Sequence, residues 1–171
     1  MKTINISLVV GLFLAASVSK AVITPSPVFV SPRTENFDTK PLGAYLMMPA
    51  MSGFAMIRRT TAAGTLLIDV AGSPFSPPNS LRGNGTDVVI RLSAASNRFG
   101  GYFCPTFAPL GVVSASFVFR DAAGAMVGSW VASWATATWR WEGFDSSIPF
   151  RSVEIRGVAP GTFWMDNLTV N

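Results

Sequence analysis

Between Val113 and Arg120 the chain alternates with a period of two: Val113, Ala115, Phe117 and Phe119 fall on one face, and Ser114, Ser116, Val118 and Arg120 on the other. Only a strand sorts side chains this way, since a helix would spread the same residues around its circumference. Two phenylalanines therefore point together into a core. The Asp121-Ala122-Ala123-Gly124 segment then turns the chain into a second run, Met126–Ser133, which makes a hairpin. No stretch shows convincing 3.6-residue periodicity. Instead, short β-branched and aromatic runs recur at Phe54–Arg59, Thr65–Val70, Asp87–Ser93, Arg98–Phe103, Thr138–Trp141, Ser152–Arg156 and Phe163–Val170. They are separated by breakers such as Gly72–Asn79, with three prolines, and Gly83-Asn84-Gly85-Thr86. About nine strands of this length predict an all-β, two-sheet antiparallel β-sandwich or jelly roll.

The first 21 residues read as a secretory signal: Lys2, an apolar run from Ile6 to Ala16, then Ser19 and Ala21 before a cut near Val22. The apolar run is too short to span a bilayer comfortably, so the expected product is secreted or held in the cell envelope with no integral membrane segment. Residues 22–34, with Pro25, Pro27 and Pro32, read as an extended N-terminal segment, and residues 35–171 as one sandwich domain.

Charge and composition exclude several functions. Removing Lys2 and Lys20 from the 13 basic residues leaves an excess of only +2 over the 9 acidic ones, with the arginines scattered, which is no nucleic-acid footprint. One cysteine, Cys104, cannot form an internal disulfide and is expected to be buried. With no histidine there is no Ser-His-Asp, Cys-His or imidazole metal site. Two carboxylate pairs, Glu142 with Asp145 and Glu154 with Asp166, are the candidates for glycoside hydrolysis, but isolated carboxylates in such a domain are ordinarily structural, and no enzyme activity is expected.

The C-terminal third carries Trp141-Glu142-Gly143-Phe144-Asp145-Ser146, Pro149-Phe150, Ser152-Val153-Glu154-Ile155, Gly161 and Asp166-Asn167-Leu168. Upstream lie Asn36-Phe37-Asp38, Ser76-Pro77-Pro78-Asn79-Ser80-Leu81 and Phe99-Gly100-Gly101-Tyr102-Phe103. Together these resemble bacterial exported proteins of the PEP-CTERM type. The resemblance implies a galactose-binding-like jelly roll, shared with many carbohydrate-binding modules, though a fold does not fix a ligand. One departure is that the sequence as far as Asn171 carries no Pro-Glu-Pro sorting tail of the family's kind, which puts the resemblance's implication of covalent surface sorting in doubt. Modules of this kind often hold calcium where the first and last strands meet, which places the metal on Glu35, Asp38 and Asp166, with Asn36 and Asn167 as helpers. The alternative is that Asp38 and Asp166 are ordinary strand-end residues. Asn84-Gly85-Thr86-Asp87 is also rich in oxygen, but Asn-Gly before a β-run is a turn signal first.

Five tryptophans, Trp130, Trp134, Trp139, Trp141 and Trp164, lie in the last part of the chain. Spacing puts Trp130 with Trp134, and Trp139 with Trp141, on shared strand faces, with Arg140 opposite the latter pair. Indoles suit pyranose faces, but large aromatics are first of all the natural filling of a sandwich core. Trp139, Trp141 and Arg140 are the candidate ligand-binding residues. The expected function is a secreted, non-catalytic, calcium-stabilised module that binds extracellular or cell-surface polysaccharide, with the recognition surface away from the calcium clasp. The alternatives are a structural or matrix protein that assembles through self-association, and thirdly a glycosidase or lyase.

Overall fold

Twelve strands account for most of the described residues: β1 (Ile23–Pro25), β2 (Arg33–Glu35), β3 (Gly43–Tyr45), β4 (Met47–Ala50), β5 (Ala55–Arg59), β6 (Thr65–Asp69), β7 (Ser80–Asn84), β8 (Val88–Thr106), β9 (Val113–Arg120), β10 (Met126–Trp134), β11 (Arg140–Arg156) and β12 (Thr162–Val170). The computed structural model describes residues 20–60, 64–70, 75–84, 86–106, 113–135, 137–156 and 162–171. The expected signal at residues 1–21 lies outside these apart from Lys20 and Ala21, as do Gly85, Gly161 and residues 72–74. The only helical turn among the described residues is a 3-10 turn at Met51–Gly53, and no described helix is long and apolar enough to cross a membrane.

All strand pairing is antiparallel, and the architecture is the expected jelly-roll β-sandwich. Two strands belong to both sheets. Residues 88–92 of β8 pair with β5 on one side and with residues 152–155 of β11 on the other, and β11 in turn pairs with β9 and so reaches β10. With β4 at the far edge, this forms sheet one. Residues 98–106 of β8 pair instead with residues 140–145 of β11 and with β12, which leads through β7 to β6 and β3 and forms sheet two. The crossover lies where the β8–β11 register slips, between Asp145 and Ser152, next to Pro149. A proline removes a ladder donor and so belongs at a bulge of this kind. Sequence spacing had divided each of these long strands into two separate ones, because the bend reads as a break.

The N-terminal segment is part of the sandwich. β1 lines the β11 edge of sheet two and β2 pairs with β12, so residues 26–32 run across the end of that sheet as a strap. The strap is held by the Ser26 amide donating to the Gly143 carbonyl (2.7 Å) and the Ser31 hydroxyl donating to the Val170 carbonyl (2.5 Å). Strand pairing thus already begins at Ile23, ahead of residue 35.

Phenylalanine fills the space between the sheets. Phe117 and Phe119 face inward from β9 as their alternation required, and they meet Phe144 of sheet two with ring centroids 4.8 and 5.5 Å apart. Phe103 lies 5.2 Å from Phe117 and 5.4 Å from Phe163, and all of these rings are fully buried or nearly so. Burying each one contributes about 1.5–3 kcal/mol, with a further ~0.5–1.5 kcal/mol for tilted or edge-on ring contacts. Trp130 and Trp134 share the inward face of β10, against Phe144 (6.3 Å) and Phe163 (5.5 Å), and so belong to this packing. Cys104 is buried, and that burial pushes its thiol upward.

Candidate functional site

Strand alternation leaves Trp141, Gly143 and Asp145 of β11, and Arg98, Gly100 and Tyr102 of β8, on the outer face of sheet two. Trp141 stands opposite Tyr102, Gly143 opposite Gly100, and Asp145 opposite Arg98. The glycine pair explains the ring beside it. A Cβ on Gly100 would lie 2.4 Å from Trp141 Cζ2, and one on Gly143 would lie 2.3 Å from its Nε1, so the indole lies flat over two residues that have no side chain. Trp141 Nε1 donates to the Ser26 carbonyl (3.0 Å), which ties the ring to the strap.

Around Trp141 the rings form a strip. Phe29 of the strap meets it edge-on at 5.6 Å, and Tyr102 meets it edge-on at 5.4 Å from the other direction. Phe75 stacks on Tyr102 at 3.5 Å and lies 6.4 Å from Trp139. Phe75 is 42% exposed, and the other four are half-buried, so the strip presents apolar ring surface outward. Arg98 lies over Phe29 (5.0 Å) and is paired with Asp145 (2.5 Å), whose carboxyl is held below its ordinary range by the hydrogen bond from that guanidinium.

Trp141 lies on the outer face of sheet two, and Trp139, which precedes β11, reaches it through Phe75 and Tyr102, so the two indoles are joined by these rings. Arg140 does not join them. It donates to Glu142 (2.6 Å) and lies over the ring of Trp134 (5.0 Å), on the side of the strand that faces the core. Burial raises the Glu142 carboxyl, and Arg140 opposes that shift. Trp164 is buried beneath Arg82 (4.9 Å). Phe29 and Phe75 were missed because both lie in irregular, proline-rich chain, where no periodicity reveals a face.

The acidic residues converge in part. Asp166 stands opposite Tyr102 and shares the outer face. Its carboxylate is fully buried, accepting from the Ser76 amide (2.8 Å), the Ser76 hydroxyl (3.1 Å) and the Asn167 amide (2.7 Å). Desolvation, followed by the nearby charge of Asp38, pushes it up to about 6. Asp38 accepts from the Asn36 side chain (2.7 Å) and the Asn79 amide (3.3 Å). Glu35 turns elsewhere. It stands opposite Leu168, whose side chain enters the core, and its two oxygens accept from the amides of Phe37 (3.2 Å) and Met51 (2.8 Å), with Lys40 at 3.3 Å. Accordingly, no group of three metal-binding carboxylates, thiols or imidazoles forms among the described residues. Asp38 is near enough for its charge to raise the Asp166 carboxyl, and the Asn167 side-chain oxygen accepts from the same Ser76 hydroxyl (3.3 Å), so oxygen atoms gather on this side of Ser76.

This acidic pair adjoins the aromatic strip, since Ser76 follows Phe75 in sequence and Tyr102 stands opposite Asp166. The sequence had suggested that the recognition surface lay away from it. The carboxylate pairs considered for hydrolysis face apart. Glu142 points coreward and Asp145 outward, while Glu154 lies on the outer face of sheet one and Asp166 on that of sheet two.

No family model and no curated protein matches the chain. Several solved structures share its jelly-roll β-sandwich fold. The arabinose-bound MgGH51 α-L-arabinofuranosidase matches at a TM-score of 0.57 with 12% identity over 82% of this chain, which spans only 25% of that enzyme. The K2 cleaved adhesin domain of Lys-gingipain matches at 0.55 with 12% identity, covering 81% of this chain and 98% of that domain. The CBM22-1 xylan-binding domain from Paenibacillus barcinonensis Xyn10C matches at 0.51 with 11% identity, covering 82% of this chain and 92% of that domain.

Proposed function

We propose that the protein is a secreted, non-catalytic carbohydrate-binding module that recognises extracellular or cell-surface polysaccharide on the outer face of sheet two. The observation that carries this reading is the strip of Phe29, Trp141, Tyr102, Phe75 and Trp139, seated on a Gly100–Gly143 floor and bordered by the partly exposed Arg98 and Asp145. Flat ring surface takes up the C–H faces of pyranose rings, and the polar border offers hydrogen bonds to hydroxyls. The Tyr102 hydroxyl has no hydrogen-bond partner among the described residues, which leaves a donor and acceptor at the centre of the strip. The fold shared with a xylan-binding domain is consistent with this role.

Calcium is the proposed structural ion, held by Asp38 and Asp166 with Asn36 and Asn167. It would neutralise two neighbouring carboxylates beside the strip and fix Ser76, and with it Phe75, against Tyr102. Glu35 acts as a positioning residue that holds the Phe37 and Met51 amides.

A glycan array tests the binding. Retention of a neutral polysaccharide that is lost in Trp139→Ala supports the reading. Uniform silence combined with concentration-dependent oligomers favours self-assembly instead, for which the exposed Leu42, Leu46 and Met47 near β4 are the candidate surface.

A further inference from the structure

On the outer face of sheet one, Arg91 of β8, Ser152 of β11 and Arg120 of β9 stand in one row across three adjacent strands. The small serine between two long cations leaves a hollow, which the Asp121–Gly124 turn closes at one end. It encloses about 370 Å³ and is lined by Arg91, Arg120, Arg151, Ser152 and Asp121. Arg151 would ordinarily alternate to the other face of the sheet. The register slip between Phe150 and Ser152 re-aims it, and its Nε donates to the Leu92 carbonyl (3.2 Å).

Three guanidiniums thus line a cleft that contains one carboxylate, one oxygen of which is held by the turn, and the cations outnumber it. Asp121 accepts from the amides of Ala123 and Ala125 (both 2.9 Å), as its turn requires. Arg120 is braced by Glu154 (3.3 Å) and by the Gly124 carbonyl (3.0 Å). Arg91 is exposed and has no hydrogen-bond or ion-pair partner among the described residues. A cleft with excess positive charge, one unpaired planar fork and a hydroxyl at its floor is complementary to an oxyanion.

We propose that this cleft is a second binding site, separate from the aromatic strip, for an anionic sugar residue: a carboxylate or sulfate ester carried on an acidic polysaccharide. The sugar part of this inference rests on the carbohydrate-binding reading above, whereas the anion part stands on the cleft alone. Arg91 makes the bidentate contact, Ser152 donates to a third oxygen, and Arg151 and Arg120 supply charge from fixed positions.

The test is calorimetric titration of the full chain with oligogalacturonate, with a sulfated oligosaccharide of equal length, and with a neutral xylo-oligosaccharide. One acidic ligand should bind more tightly than the neutral one, and the preferred acid identifies the oxyanion. Arg91→Ala should weaken that acid about tenfold or more, leave the neutral ligand unchanged and flatten the salt dependence. Arg91→Lys, which keeps the charge but loses the fork, should recover only part of the loss. Equal affinity for acidic and neutral ligands, or indifference to Arg91→Ala, overturns the proposal while the aromatic reading stands. Acid binding that needs Arg91, with no neutral binding and no effect of Trp139→Ala, supports the cleft and removes the aromatic reading. Inorganic sulfate or a DNA oligonucleotide binding through Arg91 as tightly as either acidic sugar would overturn the sugar assignment.

Discussion

Two carboxylates in rows of strand residues, Glu154 on the outer face of sheet one and Asp166 on that of sheet two, are shifted in opposite directions. Glu154 on sheet one lies between Arg120 (3.3 Å) and Arg156 (2.7 Å), and the hydrogen bond from Arg156 lowers its carboxyl. Asp166 on sheet two has only neutral donors and another carboxylate nearby, and burial raises it to about 6. Glu154 on sheet one is partly solvated and compensated by countercharge, as Asp145 is by Arg98 on sheet two. Sheet two covers its face with a strap, a loop and five rings, and that cover leaves a carboxylate desolvated. The face that can offer apolar surface to a sugar is therefore also the face that stores electrostatic cost.

The largest effect should come from disturbing the floor of sheet two. Gly143→Ala sets a methyl group 2.5 Å from the Ser26 carbonyl and against the Trp141 indole, so it should cost about 2–3 kcal/mol, lower the melting temperature by roughly 5–10 °C and remove glycan retention. On sheet one, Ser152→Ala should leave the melting temperature nearly unchanged. Equal effects from the two changes would break the contrast between a covered and an open face.

Comparable in size is the titration of Asp166. The folded protein holds this proton up to about pH 6, whereas an unfolded aspartate releases it near 3.8, so the native state binds more protons across that window. Stability should fall as pH rises from about 4 to 6, by up to about 3 kcal/mol, and Asp166→Asn should abolish the slope. Calcium should flatten it too, by holding the carboxylate ionised. Identical melting curves in calcium and in chelator at pH 7 would count against the ion.

Trp139→Ala should weaken neutral glycan binding about tenfold with little loss of stability, since the ring is only half-buried at the margin of the strip. The smallest effect belongs to Glu154. Its lowered carboxyl contributes stability that is present above the ordinary glutamate value and is lost as pH falls through the folded one. Its arginine partners are about a third or more exposed, so Glu154→Gln should cost less than about 1 kcal/mol. A larger loss would mean that the arginine row is a rigid structural network and not an open surface.

Much of the sandwich was legible in the chain because strand alternation is a local property. The Val113–Arg120 pattern placed Phe117 and Phe119 inside, and the four-residue spacing placed Trp130 with Trp134. What alternation cannot give is which side of a strand is covered. Trp130 and Trp134 face the phenylalanine core, whereas Trp141 faces outward, and that depends on which sheet lies above which. The acidic bracket shows the same limit. Glu35, Asp38 and Asp166 were grouped because the first and last strands were expected to meet, and β2 and β12 do pair. Within that pairing, Glu35 follows Leu168 to the core side and Asp166 follows Tyr102 to the outer side.

The sequence by itself determined that this chain is a β-sandwich with an aromatic core, because period-two patterning and turn chemistry act between near neighbours. Only the tertiary structure decided that Phe29 and Phe75 complete a ring strip, that Gly100 and Gly143 form its floor, and that Arg91, Arg120 and Arg151 converge on one cleft. Each of these depends on pairing register between distant segments, and one residue of slip would send every such side chain to the opposite face.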